Sequence, residues 1–147
     1  MAVVLPILLY GAEAWNLTEA MYAKLRRFHN YSTRRMCLLS RRYCRFNHIS
    51  ARYIHRRLGI LDIDAYVTRR HLRWAGHVAR MSEDRLPRRF LSCWVRNKRP
   101  TGCPHFTYAR GLHKSLKKLG IPRDAWYDLA QDRQEWRIVT QKQFTDT

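Results

Sequence analysis

The sequence predicts an all-α fold, or nearly so: a compact bundle of about six helices. Three observations carry that expectation. Beyond the first ten residues few stretches alternate polar and apolar with period two. Apolar residues recur instead at steps of three and four. Ser, Thr or Asp stands where such periods begin and Gly where several end, as helix caps require.

Residues 2–10 are apolar and read as a short buried strand or a core helix turn. Ala12 and Ala14 after them imitate a signal cleavage site, but the first basic residue is Lys24 and Pro6 interrupts the run. About nine apolar residues cannot span a bilayer. A chain that opens on a core segment straight after Met1 reads as a piece of something longer.

Thr18 is placed to cap a long helix reaching about Leu39. Its expected inward side is Tyr22, Leu25, Phe28, Ser32, Met36 and Leu39, with Lys24, Arg27, Arg34 and Arg35 outside. Residues 41–47 read as a basic turn. Ser50 starts a short helix whose Tyr53, Ile54 and Leu58 face inward, and Gly59 stops it.

The central helix is expected over Tyr66–Met81. Val67, His71, Trp74, Val78 and Met81 share a stripe that Leu72, Ala75 and Ala79 widen. Arg69, Arg73, His77 and Arg80 follow the opposite flank. Asp62 or Asp64 would cap it. Gly76 costs about 1 kcal/mol relative to Ala unless a backbone approaches it closely. Trp74 either packs in the core or faces out to stack on a base. The short helix, Gly59 and the long helix are compatible with a helix-turn-helix pair, although the spacing alone favours a plain αα-hairpin.

Ser82–Asp84 ends the central helix, and a further helix is expected over Leu86–Trp94 with Pro87 in its first turn. Arg96–Pro104 is a basic hinge loop rich in Pro and Gly. A helix over Phe106–Leu119 follows, with Phe106, Ala109, Leu112, Leu116 and Leu119 inside and Lys114, Lys117 and Lys118 outside; Gly120 and Pro122 close it. A short helix spans Asp124–Ala130, and Asp132 caps another that carries Trp136 and Val139. The expected organisation is a basic helical domain over 1–95, a hinge at 96–105 and a helical extension over 106–147.

Charge sharpens the functional reading. The 147 residues hold 29 Lys and Arg against 11 Asp and Glu, giving +18 and a pI near 10.7. From Ala20 to Leu61, and again from Arg85 to Arg123, eleven basic residues occur without one acid. They are interleaved with aromatic and aliphatic residues at helical spacing, so this is a folded surface suited to a polyanion. The expected partner is a nucleic-acid backbone, RNA or DNA. The proposed contacts are Arg69, Arg73, His77 and Arg80, helped by Arg34, Arg35, Arg41, Arg42, Arg56 and Arg57, because a guanidinium fork meets phosphate bidentately.

Catalytic and metal chemistry find no foothold. Cys37, Cys44, Cys93 and Cys103 lack the two-residue spacing of a zinc ribbon or redox motif, although Cys44 with His48 or Cys103 with His105 supplies ligand types. Four thiols without a disulfide framework suit a reducing compartment, nucleus or cytoplasm, rather than secretion. No nucleophile elbow or Gly-rich phosphate loop is present, and His29, His55 and His71 read as packed or surface residues. No cofactor, metal or membrane partner is expected.

Four blocks resemble one family. Leu5-Pro6-x-Leu8-Leu9-Tyr10-Gly11-x-Glu13-x-Trp15 resembles the segment after the polymerase core of non-LTR, LINE-type retrotransposon reverse transcriptases. Leu72-Arg73-Trp74-x-Gly76-His77-Val78-x-Arg80-Met81 with Asp84-Arg85-Leu86-Pro87 is similar to a stretch further downstream, and Ala130-Gln131-Asp132-Arg133-x-x-Trp136-Arg137 to its usual close. The order holds over roughly residues 5–137, although Gly102-Cys103-Pro104 stands where the family commonly has Gly-Arg-Pro.

The resemblance implies the thumb and following linker of such an enzyme, clamping template–primer or element RNA. Palm and fingers would be its partners. Polymerase chemistry needs clustered carboxylates holding two cations about 4 Å apart. Here only Glu83 and Asp84 are adjacent acids and no Tyr-x-Asp-Asp occurs, so this chain is not expected to be an enzyme. The alternative is a structural or interaction protein, or a decayed retroelement reading frame, whose charge serves no binding.

Overall fold

The all-α expectation holds across residues 3–91 and 107–142, the part of the chain that the computed structural model describes. Among these residues there are nine α-helices and no strand. They are α1 (Val4–Leu8), α2 (Glu19–Met36), α3 (Arg41–Phe46), α4 (Ala51–Leu58), α5 (Ile63–Ala79), α6 (Leu86–Leu91), α7 (Tyr108–Lys118), α8 (Trp126–Leu129) and α9 (Arg133–Lys142). A single 3-10 turn at Ala12–Ala14 follows α1. The hinge expected at 96–105, Phe106, and the expected helix beyond Leu91 lie outside the described residues.

Caps account for most of the boundaries. The hydroxyls of Thr18, Ser40, Ser50 and Thr107 each accept from the backbone N–H three residues on, starting α2, α3, α4 and α7. Asp132 does the same for α9 with Gln134 and Glu135. Asp62 sits at the cap of α5, where its carbonyl accepts from Ala65 and Tyr66. Gly59 ends α4 at φ +63°, a left-handed turn that costs a residue with a Cβ about 1–2 kcal/mol.

Three local expectations are corrected. Residues 3–10 take the helical of the two forms expected, α1, but not as a core element: Val3, Ile7 and Tyr10 are exposed and Leu9 is buried. Residues 41–46 are a helix, not a turn, because Ser40 caps them. The inward faces of α2 and α4 are rotated by about one residue. His29 and Thr33 are buried where Phe28, Ser32 and Met36 were expected, and His55 where Tyr53 was.

The helices gather into two units that divide within α5. Residues 17–66 form one, and residues up to Asn16 with those from Val67 onward form the other. In the first, α2 packs on α4 and the interior is polar for its size. Tyr22 and Ile54 are buried beside His29, Thr33 and His55. The His29 and His55 rings lie 4.8 Å apart, His29 Nε2 donates to the Leu61 carbonyl at 3.0 Å, and His55 Nδ1 meets Asp62 at 2.5 Å. The Arg26 fork lies along the Asp64 carboxylate, its Nε at 2.9 Å from Oδ1, tying α2 to the first turn of α5.

The second unit holds the larger apolar core. Leu72, Ala75, Val78 and Ala79 of α5 pack with Leu91, Leu112, Leu116, Ile121, Trp126, Ala130 and Trp136. The apolar stripe read for the central helix is thus its buried face. Trp74 belongs to it, half-buried and edge-on to Tyr108 at 5.4 Å. Gly76 does admit a close approach, but of a side chain: a Cβ there would lie 2.2 Å from Trp136 Nε1. That indole N–H donates to the Leu72 carbonyl at 3.1 Å.

Buried imidazoles make the fold acid-sensitive. Burial pushes the pKa of His29, His71 and His113 below the ordinary 6.5. The unfolded chain therefore binds more protons than the folded one just below pH 6.5, and stability falls as pH drops through that window. The melting temperature is expected to decline steadily from pH 7.5 to pH 5.5 in thermal scans. A flat or rising profile would show that these rings are not desolvated.

Candidate nucleic-acid interface

The arginines sort into two groups by what their guanidinium groups already hold. Arg26 is committed to Asp64 and Glu19. Arg70 faces Glu13 at 3.6 Å. Arg88 is buried, donates to the Ala79 carbonyl at 2.6 Å and lies 4.5 Å over the Tyr127 ring. Arg80, proposed from the sequence as a phosphate contact, is part-buried with Nη1 donating to the Ala130 carbonyl. Burial also lowers its pKa. These four hold structure together.

The remaining proposed contacts divide between the units. On α5, Arg69, Arg73 and His77 are exposed and follow at steps of four, so they are neighbours on one helix face about 5–6 Å apart. This face backs directly onto the buried stripe, which fixes its direction. In residues 17–66, Arg35, Arg41, Arg42, Arg56 and Arg57 are exposed and Arg34 is half-exposed. The first turns of α5 carry buried Ile63, Val67 and Thr68 and the engaged Asp64, so the start of this helix offers little to a DNA groove.

Electrostatics distinguish residues 17–66 further. The segment has three acids, Glu19, Asp62 and Asp64. Arg26 holds the first and last, and His55 meets the second. Against these three acids the segment carries eleven Lys and Arg, a net charge of +8. Arg34 and Arg35 lie in the last turn of α2, and Arg56 and Arg57 in that of α4, where the helix dipole favours positive charge. Arg41 and Arg42 open α3, where the dipole disfavours it. Folding gives no reason for that pair.

The sequence reading missed one component of this surface. Phe28 and Tyr31 on α2, assigned to the core or passed over, are 46% and 54% exposed and stand among Lys24, Arg27 and Arg35. The signal was available: Tyr22, Leu25, His29 and Thr33 are as good an inward stripe as the one chosen, once His and Thr are allowed inside. Among the described residues no three His, Cys, Asp or Glu converge to hold a metal ion. Cys37 is half-buried and Cys44 buried, while Cys93 and Cys103 lie outside the described residues. Among the described residues, no helix is long and apolar enough to cross a membrane.

The chain is similar to a transposon-derived protein. That relative, an uncharacterized protein of Caenorhabditis elegans, is 29% identical over 155 aligned positions, which take in 99% of this chain and 54% of the relative. The chain thus spans about half the length of the curated relative it matches. No family model matches, and no solved structure does.

Proposed function

We propose that this chain is a nucleic-acid-binding helical segment of transposon origin, corresponding to the thumb and linker of a retrotransposon reverse transcriptase. The similarity to a transposon-derived protein supports the origin. The observation that carries the binding role is the unbalanced outward charge of residues 17–66, above all Arg41 and Arg42 at a helix start that a stability argument would give to Asp or Glu. Backbone phosphate is the ligand chemistry that such a surface fits, with affinity set by counterion release.

The test separates fold from binding. Replacing Arg41 and Arg42 together by Glu complements the α3 dipole, so the melting temperature should hold or rise slightly. Affinity for RNA or DNA, read by fluorescence anisotropy, should fall at least tenfold. Binding that survives the change, or a parent chain that binds neither nucleic acid, would leave the structural reading in place.

Catalysis belongs elsewhere in this proposal. The parent polymerase would supply palm, fingers and their carboxylates. Primer extension by the purified chain with Mg²⁺ or Mn²⁺ is expected to match a buffer control. Extension above it would refute the assignment.

A further inference from the structure

The exposed face of α2 is built differently from a plain phosphate clamp. Met21, Lys24, Phe28, Tyr31 and Arg35 follow at steps of three and four, and all are exposed. One stripe along four turns therefore sets two adjacent rings between Lys24 and Arg35, and Arg27 flanks it. Tyr22, His29 and Thr33 fill the opposite face, so the rings are not reserve packing for the α2–α4 contact. The same unit exposes three more rings, Tyr43 at 52%, Phe46 at 84% and Tyr53 at 54%, each among arginines.

A double helix hides its base faces in the stack and would engage only the cations, leaving half-exposed rings in water. A single strand offers both phosphates and unstacked bases, and an aromatic ring stacks on any base. Protein docking is the competing use of an exposed aromatic face. Interface cores are depleted of Lys, however, and the charge here is of one sign, with Lys24 and Arg35 on the stripe, Arg27 beside it and no acid from Ala20 to Leu61.

From this we infer that the α2 face of residues 17–66 binds single-stranded nucleic acid, with Phe28 and Tyr31 stacking on successive bases and Lys24, Arg27 and Arg35 holding the backbone. The inference rests on the nucleic-acid reading above and narrows its ligand to unpaired strands.

The experiment compares a labelled oligothymidine and oligouridine with a blunt duplex of matched length, using the full chain. The parent chain should bind the single strands more tightly than the duplex. Replacing Phe28 and Tyr31 together by Ala should weaken single-strand affinity by at least tenfold, since each stacked ring is worth about fivefold or more. Duplex affinity should stay within about twofold, and the melting temperature should be unchanged because both rings are exposed. Replacement by Phe28→Tyr and Tyr31→Phe should restore binding. Replacement of both by Leu, which keeps apolar area without a π face, should not.

Equal loss on both probes, no loss on either, or full rescue by Leu would overturn stacking, the last pointing to protein docking. In those cases the phosphate-binding reading survives if duplex affinity still falls on replacing Arg41 and Arg42. A parent chain that binds no probe would overturn both.

Discussion

Replacing Gly76 by Ala is expected to destabilise the protein by about 2–3 kcal/mol, although on an open helix the same change would stabilise it by about 1. The added Cβ would stand 2.2 Å from Trp136 Nε1 and 2.5 Å from its Cδ1. The indole cannot easily yield. It is 3% exposed, donates to the Leu72 carbonyl at 3.1 Å and lies 6.3 Å from the Trp126 ring. Overpacking a core typically costs about 1–3 kcal/mol, and loss of the indole hydrogen bond adds about 1. Helix propensity offsets only part of this. Chemical denaturation followed by tryptophan fluorescence measures the sum.

A double-mutant cycle identifies the cause. Trp136→Ala alone should cost about 3–5 kcal/mol, as for other buried aromatics. In that background the second change, Gly76→Ala, should become neutral or mildly stabilising, because nothing remains for the methyl to strike. A coupling energy above about 2 kcal/mol is the expected signature. Additive effects would mean that Gly76 is required for some other reason.

The contrast between α5 and α2 shows which information local sequence contains. On α5 the buried side is apolar apart from Thr68 and His71 and the exposed flank is cationic, so periodicity alone assigned both faces. On α2 the interior takes His29 and Thr33, because His29 has the Leu61 carbonyl as a partner 32 residues away. Polarity then no longer marks the outside, and Phe28 was placed in a core that does not receive it. For α1 both faces are apolar, leaving periodicity nothing to discriminate.

Ends and long-range partners were lost for related reasons. Leu38 closes α2 at φ +56° and His48 follows α3 at φ +52°, roles usually marked by Gly, so neither stop was visible. Ser40 is a cap signal in the sequence, so the start of α3 is legible there, although residues 41–47 read as a basic turn. Among the proposed contacts, Arg69 and Arg73 lie outside as the spacing required. Arg80 has the same spacing, and its capture by the Ala130 carbonyl, 50 residues on, follows only from the fold.

Salt should control binding to duplex nucleic acid more strongly than any single side chain. A duplex probe isolates the electrostatic part, since its bases are hidden from the α2 rings. If about six phosphates are neutralised, the log–log slope of affinity against salt is near −5. Raising KCl from 50 to 200 mM should then weaken binding about a thousandfold, with little dependence on sequence. Replacing Arg69 and Arg73 together by Gln should flatten the slope by about two, close to one unit for each lost contact. The fold should not change, because both side chains are exposed on the flank opposite Leu72, Ala75 and Val78. Arg80 is left in place, since its bond to the Ala130 carbonyl would mix packing with binding. A slope of −1 or less in the parent chain would mean that few cations meet phosphate at all. An unaltered slope in the Arg69 and Arg73 variant would mean that these two side chains meet no phosphate.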